Sequence, residues 1–329
     1  MFDHVFSPIT IKGKTIKNRF TVPAMVCNFC NKDGTATERY IAYHEAKAKG
    51  GWGLIITEDY NVSPEGHGFS CTAGLWNDGQ IASHSELPKR VHKYGATILA
   101  QIYHCGRQTH KSAIPEGCHT RSSSAILCPF GDEIPIPFTT EEVKGMVKKY
   151  GDAAVRAKKC GFDGVEIHSA HGYLLNQFYS PLYNHRTDEY GCDTMENRIR
   201  MHLEIIQSIR GSLGTEYPIA IRMGGCDYQE GGTSVEDTVE ACKILEKSGV
   251  DLLDITGGMN GFIRPGHTEA GYFRDISTAV KKQVDIPVLL TGGVKSVEDA
   301  EALIQDQCTD MVGIGRVLLK NPQALHLCQ

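Results

Sequence analysis

Short apolar runs alternate along the chain with longer segments in which apolar residues recur at helical spacing. This alternation is typical of successive strand and helix units, which build a parallel sheet. The pattern therefore predicts an α/β protein with the fold of a (β/α)8 TIM barrel. Eight runs fit buried strands: Arg19–Ala24, Trp52–Glu58, Thr97–Tyr103, Asp163–His168, Pro218–Arg222, Asp251–Thr256, Ile286–Thr291 and Asp310–Ile314.

A further alternating segment precedes the first strand and helix unit. Residues 9–16 alternate around Gly13-Lys14, which indicates a small N-terminal β-hairpin that caps the bottom of the barrel. The helical segments between the strands also carry recognisable starts, because a hydroxyl residue three positions before an acid can cap a helix. Three such starts are Thr139 with Glu142, Ser234 with Asp237 and Ser296 with Asp299.

Composition and charge narrow the class of protein. Hydrophobic residues make up 41% and charged residues 22% of 329 residues, so the chain can bury a core without metals or disulfides. We predict a single domain over residues 1–329. A net charge of -5 argues against nucleic acid as a partner. The N-terminus lacks an apolar signal region and the apolar runs are of strand length, so we predict a cytoplasmic protein without membrane association.

Twelve cysteines are scattered along the chain, and Cys27-Asn-Phe-Cys30 forms a lone CxxC pair. No second pair stands at the spacing of a zinc site or an iron–sulfur cluster. The pair is therefore interpreted as two ordinary thiols of a protein in a reducing compartment, and no metal site is predicted there.

The ends of the last two strands indicate a phosphate site. Thr291-Gly-Gly-Val294 and Gly313-Ile-Gly-Arg316 are turns of the kind with which barrels bind phosphate through backbone N–H groups. Either turn alone is equally typical of a plain link between strand and helix. Two of them in succession, with the guanidinium of Arg316 nearby, favour a phosphate-bearing ligand.

Two further strand ends place polar groups at the mouth of the barrel. Strand alternation puts Arg222 on the inner side with Ala220, while Ile219 and Ile221 face the helices. Gln101 ends the third strand in a similar position, and its amide suits the carbonyl and N–H edge of a planar heterocycle. Each of these side chains alone could instead cap the barrel core.

The segment from Glu166 to Phe178 concentrates two imidazoles and a phenol after the fourth strand, at the catalytic face of a barrel. His168 and His171 can donate hydrogen bonds to one substrate oxygen, and Tyr173 can serve as an acid beside it. An HxxH pair can also hold a metal, but no further ligands are evident. Two long connections, 105–137 and 169–194, follow strand ends on this face, where long loops commonly carry function.

The sequence around these residues resembles the Old Yellow Enzyme family. The run 166–191 with Glu196-Asn-Arg198 is similar to the long central motif of that family, and a match of this length is very specific. Shorter matches in the same order extend the resemblance over nearly the whole chain: residues 6–11, 17–19, 56–58, 101–107 and 315–322.

The resemblance implies roles for matching positions. Ala24 and Met25 would lie along a bound flavin mononucleotide (FMN), while Gln101 and Arg222 would bind its ring. His168 and His171 would hold the substrate oxygen, with Tyr173 as the proton donor. The HxxH motif is similar to that of the bacterial branches of the family. The phosphate of FMN would be bound by Gly293, Gly315 and Arg316.

Three positions depart from the family pattern. Val26 stands where one bacterial branch has a redox-tuning cysteine, with Cys27 one residue later, and Asn28 replaces the tyrosine that follows in that branch. Tuning of the flavin by a thiol and the usual substrate clamp are therefore in doubt. Asp59 places a carboxylate near the flavin edge, where small residues are common. Larger relatives carry a cluster motif and a nucleotide domain after the barrel, whereas this sequence stops at Gln329.

The resemblance implies an NAD(P)H-dependent flavin oxidoreductase that acts on CH–CH bonds. Such an ene-reductase reduces the C=C bond of enones, enals, dienoyl thioesters or steroid and bile-acid enones, and NADH or NADPH reduces the FMN directly. No GxGxxG motif follows a strand, so no separate dinucleotide domain is predicted. The expected partner is a small-molecule substrate, and the sequence leaves a homo-oligomer open. The alternatives are another phosphate-binding barrel, flavin-dependent or not, and a flavin electron-transfer module without its own substrate.

Overall fold

The computed structural model describes residues 2–317 and residue 321. Eight parallel strands form a closed barrel, in the order β3, β4, β5, β8, β9, β10, β11 and β12. The predicted (β/α)8 TIM barrel is therefore confirmed. The strands are β1 Ile9–Ile11, β2 Lys14–Ile16, β3 Phe20–Val22, β4 Leu54–Asn61, β5 Thr97–Tyr103, β6 Arg121–Ser122, β7 Ile136–Pro137, β8 Gly164–Ser169, β9 Ile219–Gly224, β10 Leu252–Thr256, β11 Val288–Thr291 and β12 Met311–Gly313.

Helices cover the outside of the barrel. Their bounds are α1 Glu38–Lys49, α2 Ile81–His84, α3 Glu86–His92, α4 Thr140–Cys160, α5 Leu174–Tyr179, α6 Met195–Arg198, α7 Arg200–Leu213, α8 Val235–Lys247, α9 Arg274–Lys281 and α10 Val297–Gln305. The three predicted helix starts are confirmed, because Thr139, Ser234 and Ser296 each accept a hydrogen bond from a backbone N–H three residues later.

All eight predicted strands are present, with ends that differ by a few residues. The largest difference is in β4, which continues past the predicted end at Glu58 to Asn61. Its pairing with β5 shifts between Ile56, opposite Leu99, and Asp59, opposite Gln101. This β-bulge reverses the alternation of side chains along the upper part of β4.

The predicted hairpin is also confirmed. β1 and β2 pair antiparallel, and the buried side chains of Ile11 and Ile16 join an apolar cluster inside the barrel. That cluster includes Leu54, Leu99 and Leu252, which lie near the start of their strands. The hairpin therefore closes the bottom of the barrel and leaves its upper end for polar side chains.

Gln177 ties the two long connections together on the upper face. Its side-chain N–H₂ donates to the carbonyl oxygens of Cys105 and Gly172, while its Oε1 accepts from Arg107 N and Ser122 Oγ. A side chain at Gly106 would collide with Gln177, since a Cβ there would lie 2.2 Å from Oε1. These bonds fix the loops that surround the mouth of the barrel.

Among the described residues, no helix combines the length and apolar character needed to cross a bilayer. The part of the resembling stretch formed by residues 318–320 and 322 lies outside the described residues.

A buried imidazole should make the stability of the fold sensitive to acid. His84 lies between Tyr60 Oη, at 2.9 Å from Nδ1, and the carbonyl oxygen of Gly34, at 2.8 Å from Nε2. Burial lowers the pKa of His84 to about 4. The unfolded imidazole titrates near 6.5, so the unfolded state gains its proton first when the pH falls. This group alone should lower the free energy of unfolding by about 2 kcal/mol between pH 7 and pH 5.

His84→Gln should remove that part of the pH dependence, as measured by urea unfolding at both pH values. His185→Gln, which replaces an exposed imidazole, is the matched control. An identical loss of stability on acidification in the parent and in His84→Gln would contradict the assignment.

Candidate active site

A cavity of about 330 Å³ opens at the carboxyl ends of the barrel strands. All the side chains and glycines that the sequence predicted for the site line this one cavity: Ala24, Met25, Gln101, His168, His171, Tyr173, Arg222, Gly293, Gly315 and Arg316. Eight different strands or the loops after them supply the walls, as in a barrel enzyme. The structure therefore brings the predicted residues together, and their roles stay predictions.

Two imidazoles and a phenol form the end wall of the cavity. The ring centroids of His168 and His171 are 5.2 Å apart, and those of His168 and Tyr173 are 5.1 Å apart. His171 Nε2 lies 3.1 Å from Thr256 Oγ1. The side chain of His168 makes no hydrogen bond to residues 2–317, and its Nδ1 atom is fully buried. This arrangement leaves ring nitrogens available to a ligand in the cavity.

A tight turn presents these side chains to the cavity. His171 adopts a left-handed conformation, with φ of 59°, and the following Gly172 has φ of 80°. A left-handed conformation at a non-glycine residue costs free energy, so surrounding contacts must hold it. Asn176 supplies one of them, because its Oδ1 accepts a hydrogen bond from Gly172 N at 2.9 Å.

Burial sets the charge of the end wall. Desolvation, and secondly the charge of Arg222, holds the pKa of His168 and of His171 well below the usual value. Burial raises the pKa of Tyr173. At neutral pH the wall therefore presents two neutral imidazoles and a protonated phenol, which can all donate hydrogen bonds.

Arg222 lies on the floor of the cavity in a buried ion pair. Its Nε atom lies 3.1 Å from Asp254 Oδ2, and its Nη1 donates to the carbonyl oxygen of Ala24 at 3.3 Å. Asp254 also accepts a hydrogen bond from Thr291 Oγ1 at 3.1 Å. The inward direction predicted for Arg222 is confirmed, and strand alternation applied to β10 identifies Asp254 as its inward-facing neighbour.

Gln101 is the second polar group on the floor. It donates a hydrogen bond through Nε2 to Glu166 Oε1 at 2.7 Å, while its Oε1 has no partner among the described residues. Burial and, secondly, the nearby Asp254 carboxylate raise the pKa of Glu166 to about 8. The free amide oxygen of Gln101 and the guanidinium of Arg222 suit a ligand with both donors and acceptors.

The glycine turns line the opposite end of the cavity. Gly293 has φ of 73°, and a Cβ at this position would lie 2.5 Å from the carbonyl oxygen of Glu269, so glycine is required there. Arg316 donates through Nη2 to Tyr272 Oη at 3.2 Å. Backbone N–H groups and a guanidinium at one end, with the donor and acceptor groups of the floor next to them, fit a mononucleotide such as FMN.

The departures from the family pattern have a structural account. Val26 lines the cavity, whereas Cys27 is turned towards Glu58, which accepts hydrogen bonds from the backbone of Cys27 and Asn28. Burial and the Glu58 carboxylate both raise the pKa of Cys27. Cys27 does not line the cavity, so its protonated thiol is not placed to tune a flavin bound there.

Sequence reasoning missed the aromatic residues at the mouth of the cavity. Phe69 and Phe262 line it while remaining 44% and 59% exposed. The ring of Phe262 lies 6.0 Å from that of His171. Both residues sit in irregular loops, where no periodicity indicates the direction of a side chain. Large exposed aromatic rings beside a cavity commonly mark a surface that binds an apolar ligand.

Within the described ranges, no group of three or more histidine, cysteine, aspartate or glutamate side chains is arranged to hold a metal ion. The described cysteines are all free.

Comparisons with known proteins identify the family. Residues 4–327 match the model of the NADH:flavin oxidoreductase / NADH oxidase family. The chain is 39% identical to an NADH oxidase of Thermoanaerobacter brockii over 98% of this chain, but it spans only 50% of that relative's length. It is 36% identical to an NADPH dehydrogenase of Geobacillus thermodenitrificans, over 97% of this chain and 91% of the relative.

A solved structure supports the same assignment. The Old Yellow Enzyme homologue of Zymomonas mobilis superposes with a TM-score of 0.85 at 28% identity, over 98% of this chain and 91% of that structure. FMN and NAD(P)H are the cofactors of this class of enzyme, and the donor and acceptor groups of the cavity fit FMN. The resemblance predicted from the sequence is confirmed: the chain belongs to the NADH:flavin oxidoreductase / NADH oxidase family, together with the Old Yellow Enzyme homologues.

Proposed function

We propose that this chain is an FMN-dependent ene-reductase that uses NADH or NADPH to reduce the C=C bond of an α,β-unsaturated carbonyl compound. The observation that carries the proposal is the end wall of the cavity. There, two neutral imidazoles and a protonated phenol lie side by side, next to a floor that suits a flavin. Enones, enals, dienoyl thioesters and steroid or bile-acid enones all contain the polarised C=C bond that such a wall can activate.

The cofactor would occupy the length of the cavity. Ala24 and Met25 would lie along the FMN ring, Gln101 and Arg222 would bind its polar edge, and Gly293, Gly315 and Arg316 would hold its phosphate. When bound, FMN would carry two electrons from the nicotinamide to the substrate. Arg222 stabilises negative charge on the ring, although its ion pair with Asp254 already balances much of its own charge.

The end wall acts on the substrate. His168 and His171 donate hydrogen bonds to the carbonyl oxygen and draw electron density from the C=C bond, which makes the β-carbon electrophilic. Tyr173 then gives its proton to the α-carbon. Phe69 and Phe262 provide apolar walls at the mouth that exclude water and favour substrates with a hydrophobic ring.

Several expectations from the sequence stay predictions. They are a single FMN-binding domain over residues 1–329, a cytoplasmic location, a homo-oligomer, and the absence of nucleic acid and membrane partners.

The proposal is tested by anaerobic reduction of the purified protein with NADH or NADPH, followed by mixing with enones, nitroalkenes, dienoyl thioesters and steroid enones. Reoxidation of the bound FMN by at least one of these compounds is the expected result. A colourless protein that cannot be reconstituted with FMN would favour a non-flavin barrel. A yellow protein that NAD(P)H bleaches but no compound reoxidises would favour an electron-transfer module.

The ion pair on the cavity floor predicts that two substitutions shift the reduction potential of bound FMN in opposite directions. Arg222→Met removes the positive charge and leaves the Asp254 carboxylate unpaired, so the bound FMN should become harder to reduce and should bind more weakly. Asp254→Asn leaves the guanidinium uncompensated, so FMN should become easier to reduce. Spectroelectrochemical titration and fluorescence measurement of FMN affinity check both. Potentials that shift in the same direction in the two variants would contradict the role of Arg222.

The imidazole pair should bind phenols as substrate mimics, with the phenolate oxygen where a carbonyl oxygen would lie. Titration of the FMN-loaded protein with p-hydroxybenzaldehyde should give a charge-transfer absorption band. The band should disappear in the His168→Ala/His171→Ala double variant, because the hydrogen-bond donors are lost. Phenol binding as tight in the double variant as in the parent would assign the pair a structural role instead.

Tyr173→Phe should separate the two halves of the cycle. Reduction of FMN by NAD(P)H needs no proton from Tyr173, so its rate should stay near that of the parent. Enone reduction should slow by roughly 10²–10⁴-fold, the usual range for one positioned general acid. The reduction of strongly activated nitroalkenes should slow less, since the nitronate product is stable before it is protonated.

Stopped-flow traces of each half-reaction provide the measurement for Tyr173→Phe. Equal slowing of both halves would indicate a packing defect. Unchanged rates in both halves would mean that water or another acid, such as Tyr103, delivers the proton.

A further inference from the structure

Asp59 is a buried carboxyl group that the proposed function does not use. It lines the cavity on the strand next to Gln101, and only 3% of the residue is exposed. No residue in the described ranges donates a hydrogen bond to its carboxylate. A carboxylate in such a place is unfavourable unless a ligand or a proton compensates its charge.

The β-bulge is the reason that Asp59 faces the cavity. Regular alternation from Leu54 and Ile56, which both point into the barrel, would turn Glu58 inwards and Asp59 outwards. The shift in register between Ile56 and Asp59 reverses this. Glu58 instead accepts hydrogen bonds from the backbone of Cys27 and Asn28. Bulges of this kind often redirect a side chain next to an active site.

The charges around Asp59 do not balance it. Arg222 is the nearby cation, and it is already paired with Asp254, whose carboxyl is fully buried. Glu166 adds a third carboxyl group on the same floor. The other titratable or charged groups that face this region are Glu58 with Lys47 behind it, Tyr103, Cys105, Tyr150, His168 and Tyr173.

Reduction of a cofactor in this cavity adds negative charge to a floor that is already rich in carboxyl groups. In a buried site the repulsion between like charges is large, and a proton taken up by the nearest carboxylate relieves it. Asp254 is held by its ion pair and Glu166 by its hydrogen bond from Gln101, whereas Asp59 is open to the cavity. Asp59 is therefore the group best placed to accept that proton.

We propose that Asp59, where it is ionised in the oxidised protein, takes up a proton from solvent when the bound FMN is reduced and releases it when the FMN is reoxidised. The proposal rests on the proposed function, because it requires FMN in this cavity. The nicotinamide supplies two electrons and one proton as hydride, and the Asp59 carboxylate gains a second proton to become a neutral carboxyl group. Reoxidation by the substrate returns that proton to solvent, so protons and electrons balance over the cycle.

The ionisation of Asp59 sets the pH range of the effect. Burial and, secondly, the Glu58 carboxylate raise the pKa of Asp59, Arg222 lowers it, and the net value is about 8. Below this pH, Asp59 already carries its proton before FMN is reduced. Above it, the oxidised protein holds a carboxylate and the reduced protein holds a neutral acid, so proton uptake accompanies reduction.

The test is an anaerobic spectroelectrochemical titration of the FMN-loaded protein at a series of pH values above 8. The midpoint potential of the parent should fall twice as steeply per pH unit as that of Asp59→Asn, because two protons rather than one accompany two electrons. Asp59→Ala provides a second variant should the amide disturb packing. Asp163→Asn is the matched control, since this partly buried carboxyl lies at the bottom of the barrel in ion pairs with Lys14 and His92.

Infrared difference spectra between reduced and oxidised protein locate the proton. A band from a protonated carboxyl group should appear on reduction of the parent and of Asp163→Asn, and should be absent from Asp59→Asn. If the midpoint potential fell equally steeply with pH in the parent and in both Asp59 variants, with FMN bound, this inference would be overturned while the proposed function would stand. Loss of the band in Glu166→Gln but not in Asp59→Asn would assign the proton to Glu166. A chain that retains no FMN would overturn the proposed function and this inference together.

Discussion

The ion pair between Arg222 and Asp254 is the interaction on which the upper half of the barrel depends. Both side chains are almost fully buried, and an isolated charge in such a place would cost several kcal/mol. Arg222 also binds the backbone of Ala24, and Asp254 also binds Thr291. The pair therefore links three strands, and the segment that follows β3, around the mouth of the cavity and makes a charged floor compatible with a closed barrel.

The same burial that makes this pair necessary also sets the chemistry of the wall above it. Removal of water disfavours charge on His168 and His171 and favours the protonated form of Tyr173. A wall of neutral donors suits a substrate oxygen that gains negative charge during the reaction. The catalytic roles proposed for these side chains therefore rest on their environment as much as on their identity.

Rigidity around the cavity comes from buried amides in the long loops. Gln177 connects both long connections of the upper face, and Asn176 holds the turn in which His171 takes its left-handed conformation. Such hydrogen bonds let irregular segments position side chains accurately, because the backbone groups they satisfy would otherwise be unpaired and buried. Phe69 and Phe262 project from other loops and remain partly exposed, which leaves the mouth open to a substrate.

The sequence by itself determined the barrel, the hairpin beneath it and most of the polar residues and glycines around the cavity. Strand alternation is a local property, so Arg222 and Gln101 could be placed inside the barrel from their positions alone. The glycine turns after the last two strands could be recognised from the strand ends, and the family resemblance added Ala24 and Met25. The family resemblance placed Asp59 near the flavin edge, but only the tertiary structure explains why Asp59 and not Glu58 faces the cavity, because the bulge that reverses them arises from pairing between β4 and β5. It also decided the ion pair of Arg222, the direction of Cys27 and the aromatic mouth, since each depends on contacts between residues far apart in the chain.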